Sequence, residues 1–265
     1  MADFTNALYN MRLLDELSRK DTFVHRLHPL TKIVTTLVYL IIVVSYSRYD
    51  IIALFPLALY PVVIFMLAEL PIKQVLLRLL IIEPLIIGIG ILNPLFDSQV
   101  IMFGDLAISR GWVTFASILL KSLFTVTAAL ILISTTGMNK LAAGLRMLKV
   151  PRLFVMQLLL TYRYITVLIE EVARTVRAYK LRAPGQKGIQ RNVWGPLVGQ
   201  LLIRTLDRAE RIYQAMCVRG FTGEYHTGED PKFKAKDFYF LAGWICFFLV
   251  ARIYNLPLLM GSLFN

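Results

Sequence analysis

The chain has 265 residues, of which 57% are hydrophobic and 12% aromatic, and its mean hydropathy is +0.63. These values lie outside the range of a soluble domain of this length, so the composition excludes that class and predicts an integral membrane protein. The formal net charge is +12 at pH 7. Eighteen of the 29 Lys and Arg residues, but only seven of the 17 Asp and Glu residues, lie between Lys140 and Lys236, which indicates a partner for this basic stretch.

Hydrophobic segments long enough to cross a bilayer lie on both sides of the basic stretch. A transmembrane helix needs roughly 17 to 25 mostly apolar residues, because its backbone polar groups must be satisfied within the segment. Five segments meet or approach this length: Ile33–Ser47, Ile51–Ala68, Leu79–Phe96, Trp112–Gly137 and Phe238 to about Tyr254. A shorter apolar run, Leu153–Tyr162, extends to Ile169 and is either a sixth span, a tilted span or a helix packed under the bilayer.

These segments define the predicted fold class and its domains. We expect an all-α integral membrane protein with five or six transmembrane helices and a cytoplasmic module of amphipathic helices. Residues 1–137 hold the N-terminal transmembrane helices, residues 138–236 the cytoplasmic module with two arginine-tipped helices, and residues 237–265 the C-terminal transmembrane helix. Cytoplasmic loops carry an excess of Lys and Arg. We therefore expect a multi-pass protein of the cell membrane with a cytoplasmic N-terminus.

Two amphipathic helices are predicted within the basic stretch. The first covers Thr166–Leu181, where Glu170 and Arg174 form a favourable pair four residues apart. It should end before Pro184, because proline disfavours a helical residue preceding it. The second runs from Pro196 to about Arg219, with Arg204, Arg208 and Arg211 along one stripe. Gly220 follows it, as glycine commonly follows a helix.

Each of these helices ends in an arginine followed by a small residue. The first ends in Leu181-Arg182-Ala183 and the second in Val218-Arg219-Gly220. An arginine at a helix end presents a fork of donors suited to a carboxylate of another protein. The alternative is that both arginines only offset the helix dipole and bond the last carbonyl groups. The candidate docking residues are Arg182, Ala183, Arg208, Arg211, Arg219 and Gly220.

The basic stretch is compatible with two further kinds of partner. Amphipathic helices rich in Lys and Arg bind anionic lipid, and we expect membrane lipid to contribute because the stretch adjoins the spans. Basic surfaces also bind nucleic acid. The stretch has neither interleaved basic and aromatic residues nor a zinc or helix-turn-helix signature, so no nucleic-acid partner is expected.

Ionisable residues within or beside the spans have functional and structural interpretations. Glu83 and Lys121 could line an aqueous path, or they could pair with each other. His25 and His28 could bind a metal, but histidines beside Pro29 more often mark the start of an interfacial helix. Cys217 and Cys246 have no partner at metal-site or disulfide spacing. No metal site and no cofactor are predicted.

The sequence contains none of the common motifs for nucleotide hydrolysis or covalent catalysis. A phosphate-binding Gly-x-x-x-x-Gly-Lys-Ser/Thr loop, a Gly-x-Ser-x-Gly elbow and a His-Glu-x-x-His helix are all absent. We therefore expect a non-catalytic protein. If it takes part in active transport, another polypeptide must hydrolyse the nucleotide.

Several segments together resemble the transmembrane T component of an energy-coupling factor (ECF) transporter. Residues 208–221, RAERIYQAMCVRGF, resemble the family's second coupling motif and its lead-in. Val150-Pro151-Arg152, Leu160-Thr161-Tyr162-Arg163-Tyr164 and Glu170-Glu171 resemble the approach to the first motif. Residues 25–32, HRLHPLTK, are similar to the entry into the first span. Asn93-Pro94-Leu95-Phe96-Asp97 resembles a loop of the cobalt-type branch, CbiQ.

The resemblance implies a role in ATP-driven import, most specifically of cobalt. Arg182 and Arg219 would dock into two cytoplasmic ATPase subunits, and the spans would hold a small membrane substrate-binding subunit. The chain would carry force without a substrate site of its own. The family's motif is usually written Ala-Arg-Gly, so Leu181 and Val218 depart from it while both arginines are kept. The alternatives are a T component for nickel or a vitamin, and an autonomous membrane enzyme or channel.

Overall fold

The computed structural model describes residues 16–96, 100–103, 106–183, 185–186, 188–223 and 233–254. Helices dominate these residues and the predicted all-α class is confirmed, with one short β-hairpin as the exception. The helices are α1 (Pro29–Ser45), α2 (Ile51–Leu54), α3 (Leu59–Leu67), α4 (Ile72–Gly90), α5 (Leu92–Phe96), α6 (Arg110–Thr136), α7 (Met138–Met147), α8 (Arg152–Arg182), α9 (Arg191–Val218) and α10 (Ala235–Tyr254).

The described residues form two compact units. The middle unit comprises residues 138–223 and contains α7, α8 and α9. The N/C unit comprises residues 16–137 and 233–254 and contains the other helices and the hairpin. The chain therefore leaves the N/C unit after Gly137 and returns to it between residues 223 and 233. The functional roles that the sequence suggests for these regions stay predictions.

The start of α1 is determined by two consecutive residues. His28 is the N-cap, and its Nδ1 accepts a hydrogen bond of 3.2 Å from the Leu30 amide. Pro29 occupies the first helical position, where its fixed φ suits the helix and its missing N–H removes no bond. The helix consequently begins four residues before the predicted span. It ends at Ser45, because Tyr46 adopts an extended conformation.

An aromatic cluster forms the centre of the N/C unit and joins α1, α3 and α10. The ring centroids of Tyr39 and Tyr60 lie 4.6 Å apart, and those of Tyr60 and Trp244 lie 4.9 Å apart. Phe248 packs against all three and is fully buried. Both tyrosine hydroxyls are satisfied: Tyr39 donates to a main-chain carbonyl, and Tyr60 bonds to the hydroxyl of Thr36. Ring pairs of this kind contribute about 0.5–1.5 kcal/mol beyond area burial.

The second predicted span is divided into three pieces. A 3-10 turn, Phe55–Ala58, separates α2 from α3. Pro56 lies in this turn and Pro61 lies near the start of α3, and neither can donate a backbone hydrogen bond. The hydrophobic run is therefore continuous in composition, while its helical geometry is interrupted.

The third and fourth predicted spans are the longest helical segments of the N/C unit. α4 begins at Ile72, seven residues before the predicted start, and α5 continues the segment to Phe96. α6 agrees with the predicted fourth span to within two residues. Between them lies an antiparallel hairpin, which the sequence analysis did not predict. Its strands are β1 (Val100–Phe103) and β2 (Leu106–Ser109), with Ile101 opposite Ile108.

Within the described residues, three helical segments are long and apolar enough to cross a membrane. They are Ile72–Phe96 with 25 residues, α6 with 27 and α8 with 31. Two shorter apolar segments, Pro29–Ser45 and Ile51–Leu67, accompany them. These helices identify a membrane protein, and the number and orientation of its spans stay predictions.

The middle unit is built on two long helices. α8 is continuous through the apolar run at residues 153–162 and the predicted amphipathic helix, so these two predicted elements are one helix. α7 packs on its first part, burying Ala142 against Val155 and Leu159. α9 begins at Arg191, five residues before the predicted start, and Pro196 lies inside it.

Candidate functional site

Arg182 is the last residue of α8, and its side chain is exposed. Ala183 ends the helix: its amide still bonds to the Tyr179 carbonyl at 3.0 Å, while its φ of −125° has left the helical region. The Tyr179 hydroxyl donates to the Gln186 Oε1 at 2.7 Å. This bond ties the segment beyond the helix back to the last turn, and Arg182 remains at the tip.

Arg219 directly follows Val218, the last residue of α9. It is the C-cap residue and is exposed. The Gly220 amide bonds to the Cys217 carbonyl, and the Phe221 amide bonds to the Met216 carbonyl, each at 3.0 Å. Gly220 has a φ of +81°. This pair of bonds around a left-handed glycine is a Schellman motif, so the predicted helix end at Gly220 has a defined geometry that holds Arg219.

Replacing Gly220 should loosen the end of α9 and leave the rest of the helix unchanged. A Cβ at Gly220 meets no atom within 4 Å, so Gly220→Ala introduces backbone strain of about 1–2 kcal/mol and no clash. We expect hydrogen exchange of the amides at residues 217–221 to accelerate roughly 5- to 30-fold. Gly220→Asn should cost less, because asparagine tolerates this conformation. Gly199→Ala, inside α9 and equally open, should not accelerate exchange and serves as the control.

The predicted arginine stripe of α9 has two different environments. The Arg204 Nη1 lies 3.3 Å from Glu171 Oε1 of α8, and the Glu171 Oε2 lies 3.3 Å from Arg174. Arg204, one residue of the predicted stripe, therefore connects the two helices. Arg208 and Arg211 are exposed, as the stripe requires.

A groove between α8 and α9 was not anticipated from the sequence. Its volume is about 790 Å³, and its walls include Leu160, Leu168, Ile212 and Met216. Arg208 and Arg211 also line it. On the same helix, hydrogen bonding with the Cys217 side chain raises the pKa of Tyr213. The groove requires the pairing of two helices, and no local pattern reveals that pairing.

The histidines near the first helix have structural partners. The His25 Nδ1 lies 2.7 Å from Thr22 Oγ1, and its Nε2 lies 3.0 Å from the Leu17 carbonyl oxygen. His28 caps α1, in agreement with the predicted helix start. Within the part of the chain that the structure describes, no group of three or more His, Cys, Asp or Glu could hold a metal ion.

Glu83 and Lys121 each form a hydrogen bond with a third residue and not with each other. The Ser122 Oγ lies 3.2 Å from both carboxylate oxygens of Glu83. The Lys121 Nζ donates to the Tyr46 carbonyl at 2.6 Å. The possibility that Glu83 and Lys121 pair with each other is therefore wrong, and the aqueous path stays a prediction.

Asp237 and Lys32 are buried charged residues for which no individual role was predicted from the sequence. Asp237 is 1% exposed, and its Oδ2 accepts from the Lys234 amide at 2.9 Å. Lys32 is 4% exposed, and its Nζ donates to the Thr135 carbonyl at 2.8 Å. The available signal was a charged residue at the boundary of an apolar segment, which is too common to identify a buried site.

Helices long and apolar enough to cross a membrane, in a chain that also contains a basic stretch of long helices, define an integral membrane protein. A sequence model of the family described as "Cobalt transport protein", CbiQ, matches residues 20–229. The chain therefore belongs to the CbiQ family of transport proteins.

Curated relatives agree with this assignment over part of their length. An uncharacterised protein of Methanocaldococcus jannaschii is 32% identical over 119 residues, which are 44% of this chain and 40% of that protein. The nickel permease LarQ of Lactiplantibacillus plantarum is 30% identical over 117 residues, 43% of each chain. The cobalt transport protein CbiQ of Rhodobacter capsulatus is 33% identical over 96 residues, 35% of this chain and 38% of the relative. The chain spans about two fifths of the length of these relatives.

Proposed function

We propose that the chain is the T component of an ECF-type importer for a divalent transition metal. It couples ATP hydrolysis by two cytoplasmic ATPase subunits to a small membrane subunit that binds the substrate. Its own part is mechanical and non-catalytic. The N-terminus and the tips of α8 and α9 lie in the cytoplasm, as the distribution of Lys and Arg indicates.

The observation that carries this proposal is the pair of long helices that each end in an exposed arginine. At 1.5 Å per residue, α8 with 31 residues is roughly 46 Å long and α9 with 28 residues is roughly 42 Å long. A continuous helix moves as one body, so a force applied at Arg182 or Arg219 reaches the far end of the helix. The contact between Glu171 and Arg204 links the two helices.

The chemistry of the tips suits a protein partner with acidic pockets. Arginine stays charged and can bond a carboxylate through two parallel N–H groups. Arg208 and Arg211 extend the positive surface along α9 towards Arg219. Membrane lipid is a second partner of this basic unit, because amphipathic basic helices bind anionic headgroups.

The proposed cargo is cobalt, with nickel as the alternative. The family is described as a cobalt transport family, and one relative carries the name nickel permease. Residues 93–97 supported cobalt in the sequence, but Leu92–Phe96 is helical, and Asp97 lies outside the described residues. The choice between the metals therefore depends on transport measurements.

Isolation of the complex tests the proposed function. The tagged full chain, purified from its native membrane in mild detergent, should bring with it ATPase subunits and a small membrane protein. The reconstituted complex should import labelled cobalt only when ATP is supplied, with unlabelled nickel and a vitamin as competitors. If unlabelled nickel abolishes the uptake of labelled cobalt and the vitamin does not, nickel is assigned as the preferred cargo.

The matched control is the chain reconstituted alone. A T component without its ATPases should be inactive in the same vesicles. Transport or catalysis by the isolated chain would refute the proposal and support the autonomous channel or enzyme.

A further inference from the structure

One buried carboxylate caps two helices that are remote in sequence. Asp237 is the third residue of α10, and its Oδ2 accepts from the Lys234 amide before that helix. Its Oδ1 accepts from the His28 amide, before α1, at 2.8 Å. A negative charge is favourable at a helix N-terminus, and here one side chain serves two such ends. Since both oxygens already hold backbone donors, Asp237 is suited to positioning rather than to binding cargo.

The end of α6 is attached to α1 by a second buried charge. Lys32 lies one helical turn after His28 in α1, so the two residues share a face. Its bond to the Thr135 carbonyl places a cation at the C-terminal end of α6, where the helix dipole favours it. We call His28, Lys32, Thr135 and Asp237 the junction.

Aromatic contacts reinforce the junction at the start of α10. The rings of Phe233 and His28 meet edge to face with centroids 5.4 Å apart. The Lys236 Nζ lies 5.9 Å from the centre of the Phe23 ring. A buried charge is strongly unfavourable unless its hydrogen-bonding partners are in position. The bonds of Asp237 and Lys32 therefore favour one arrangement of α1, α6 and α10.

The junction lies where the chain passes to and from the middle unit. Thr135 is two residues from Gly137, the last residue before the chain enters the middle unit. Gly137 has a φ of +70°, and a Cβ there would lie 2.7 Å from the Ser18 Oγ, so this exit is closely packed. Asp237 is four residues from Phe233, where the described chain resumes in the N/C unit. Both connections therefore originate from helix ends that are bonded to α1, one through Lys32 and the other through Asp237.

We infer that the junction is the rigid connection through which displacement of the middle unit is transmitted to the helices of the N/C unit, with Asp237 as its positioning residue. This inference rests on the proposed function. It predicts that disturbing the junction uncouples transport from ATP hydrolysis while the subunits remain assembled.

Asp237→Asn in the full complex tests the inference. Asparagine has one acceptor oxygen, so its NH₂ group faces one of the two backbone N–H groups. We expect the ATPases to remain bound and to hydrolyse ATP, while metal imported per ATP falls about tenfold, because a buried backbone donor loses its acceptor and the junction loosens. The measurements are labelled cobalt uptake and phosphate release from the same vesicles. Asp50→Asn, the same change at an exposed carboxylate of the N/C unit, is the control.

Lys32 provides a second variant if Asp237→Asn fails to accumulate. Lys32→Met removes the bond to Thr135 and should lower the import-to-hydrolysis ratio, whereas Lys32→Arg keeps a donor and should restore it. A wild-type ratio in Asp237→Asn or Lys32→Met would overturn the inference. So would parallel losses of uptake and hydrolysis, because these indicate a merely structural role. A wild-type chain that brings down no ATPase would instead refute the proposed function.

Discussion

The double variant Arg182→Glu/Arg219→Glu should lose its ATPase subunits during purification while the chain itself still inserts into the membrane. Removing one partner of a buried interfacial ion pair costs about 2–5 kcal/mol, and the substituted carboxylates would also repel an acidic pocket. Two such losses weaken binding by roughly a thousandfold or more. Both arginines are exposed at helix ends, so the substitutions remove no contact within the described chain that would unfold it. The measurement is the ATPase recovered per tagged chain.

A charge-matched control separates docking from the loss of net positive charge. Arg177→Glu/Arg191→Glu makes the same change at two exposed positions of the same helices, away from their tips. Glutamate at residue 191 also suits the start of α9. This control should retain the ATPases. Equal retention by the two double variants would mean that the arginine tips do not dock, and equal loss would mean that binding depends on overall charge.

Long hydrophobic segments with strong end signals were predictable from the sequence. The bounds of α1, α6 and α10 lie within a few residues of the predicted spans. For α6 the reason is local, since a continuous apolar run ends at Gly137, which takes a positive φ. The same holds for Gly220, where a helix end could be predicted from one glycine.

The interruption of one apolar segment and the continuation of one helix through two unlike segments were harder to predict, because composition does not encode them. Hydropathy treats residues 51–68 as one segment, although a 3-10 turn containing Pro56 divides it. Conversely, α8 was divided into an apolar run and an amphipathic helix, although no proline or glycine lies between Leu153 and Leu181. The predicted boundary corresponds only to a change from apolar to charged residues along one continuous helix.

The parts of the candidate site that depend on distant residues could not be predicted. Arg182 and Arg219 were identifiable because the residues that predict each helix end, Pro184 and Gly220, lie within two residues of them in the sequence. The contact of Arg204 with Glu171 joins residues 33 positions apart, and that of Asp237 with His28 joins residues 209 positions apart. Neither follows from periodicity. Each needs the packed helices before the two residues meet.

The packing of α5 against α6 leads to the second large effect, the loss of stability in Gly111→Ala. A Cβ at Gly111 would lie 2.5 Å from the Pro94 Cα and 2.7 Å from the Asn93 carbonyl oxygen. These are backbone atoms, so no side chain can rotate away and the helices must separate. Overpacking of this kind costs typically 1–3 kcal/mol and occasionally more. At the upper end this lowers the apparent Tm by roughly 6–12 °C, measurable by heating the purified chain in detergent and following the monodisperse fraction.

Two other glycines of the same unit test whether this loss comes from the backbone contact. Gly88→Ala, inside α4, meets nothing within 4 Å and should be neutral or stabilising by about 0.5–1 kcal/mol, because alanine is the better helix former. Gly90→Ala meets the Phe115 ring at 2.9 Å, and since a ring can move, its loss should be intermediate. The expected order of stability is therefore Gly88→Ala, then Gly90→Ala, then Gly111→Ala. If Gly111→Ala were as stable as Gly88→Ala, α5 could not lie in backbone contact with α6.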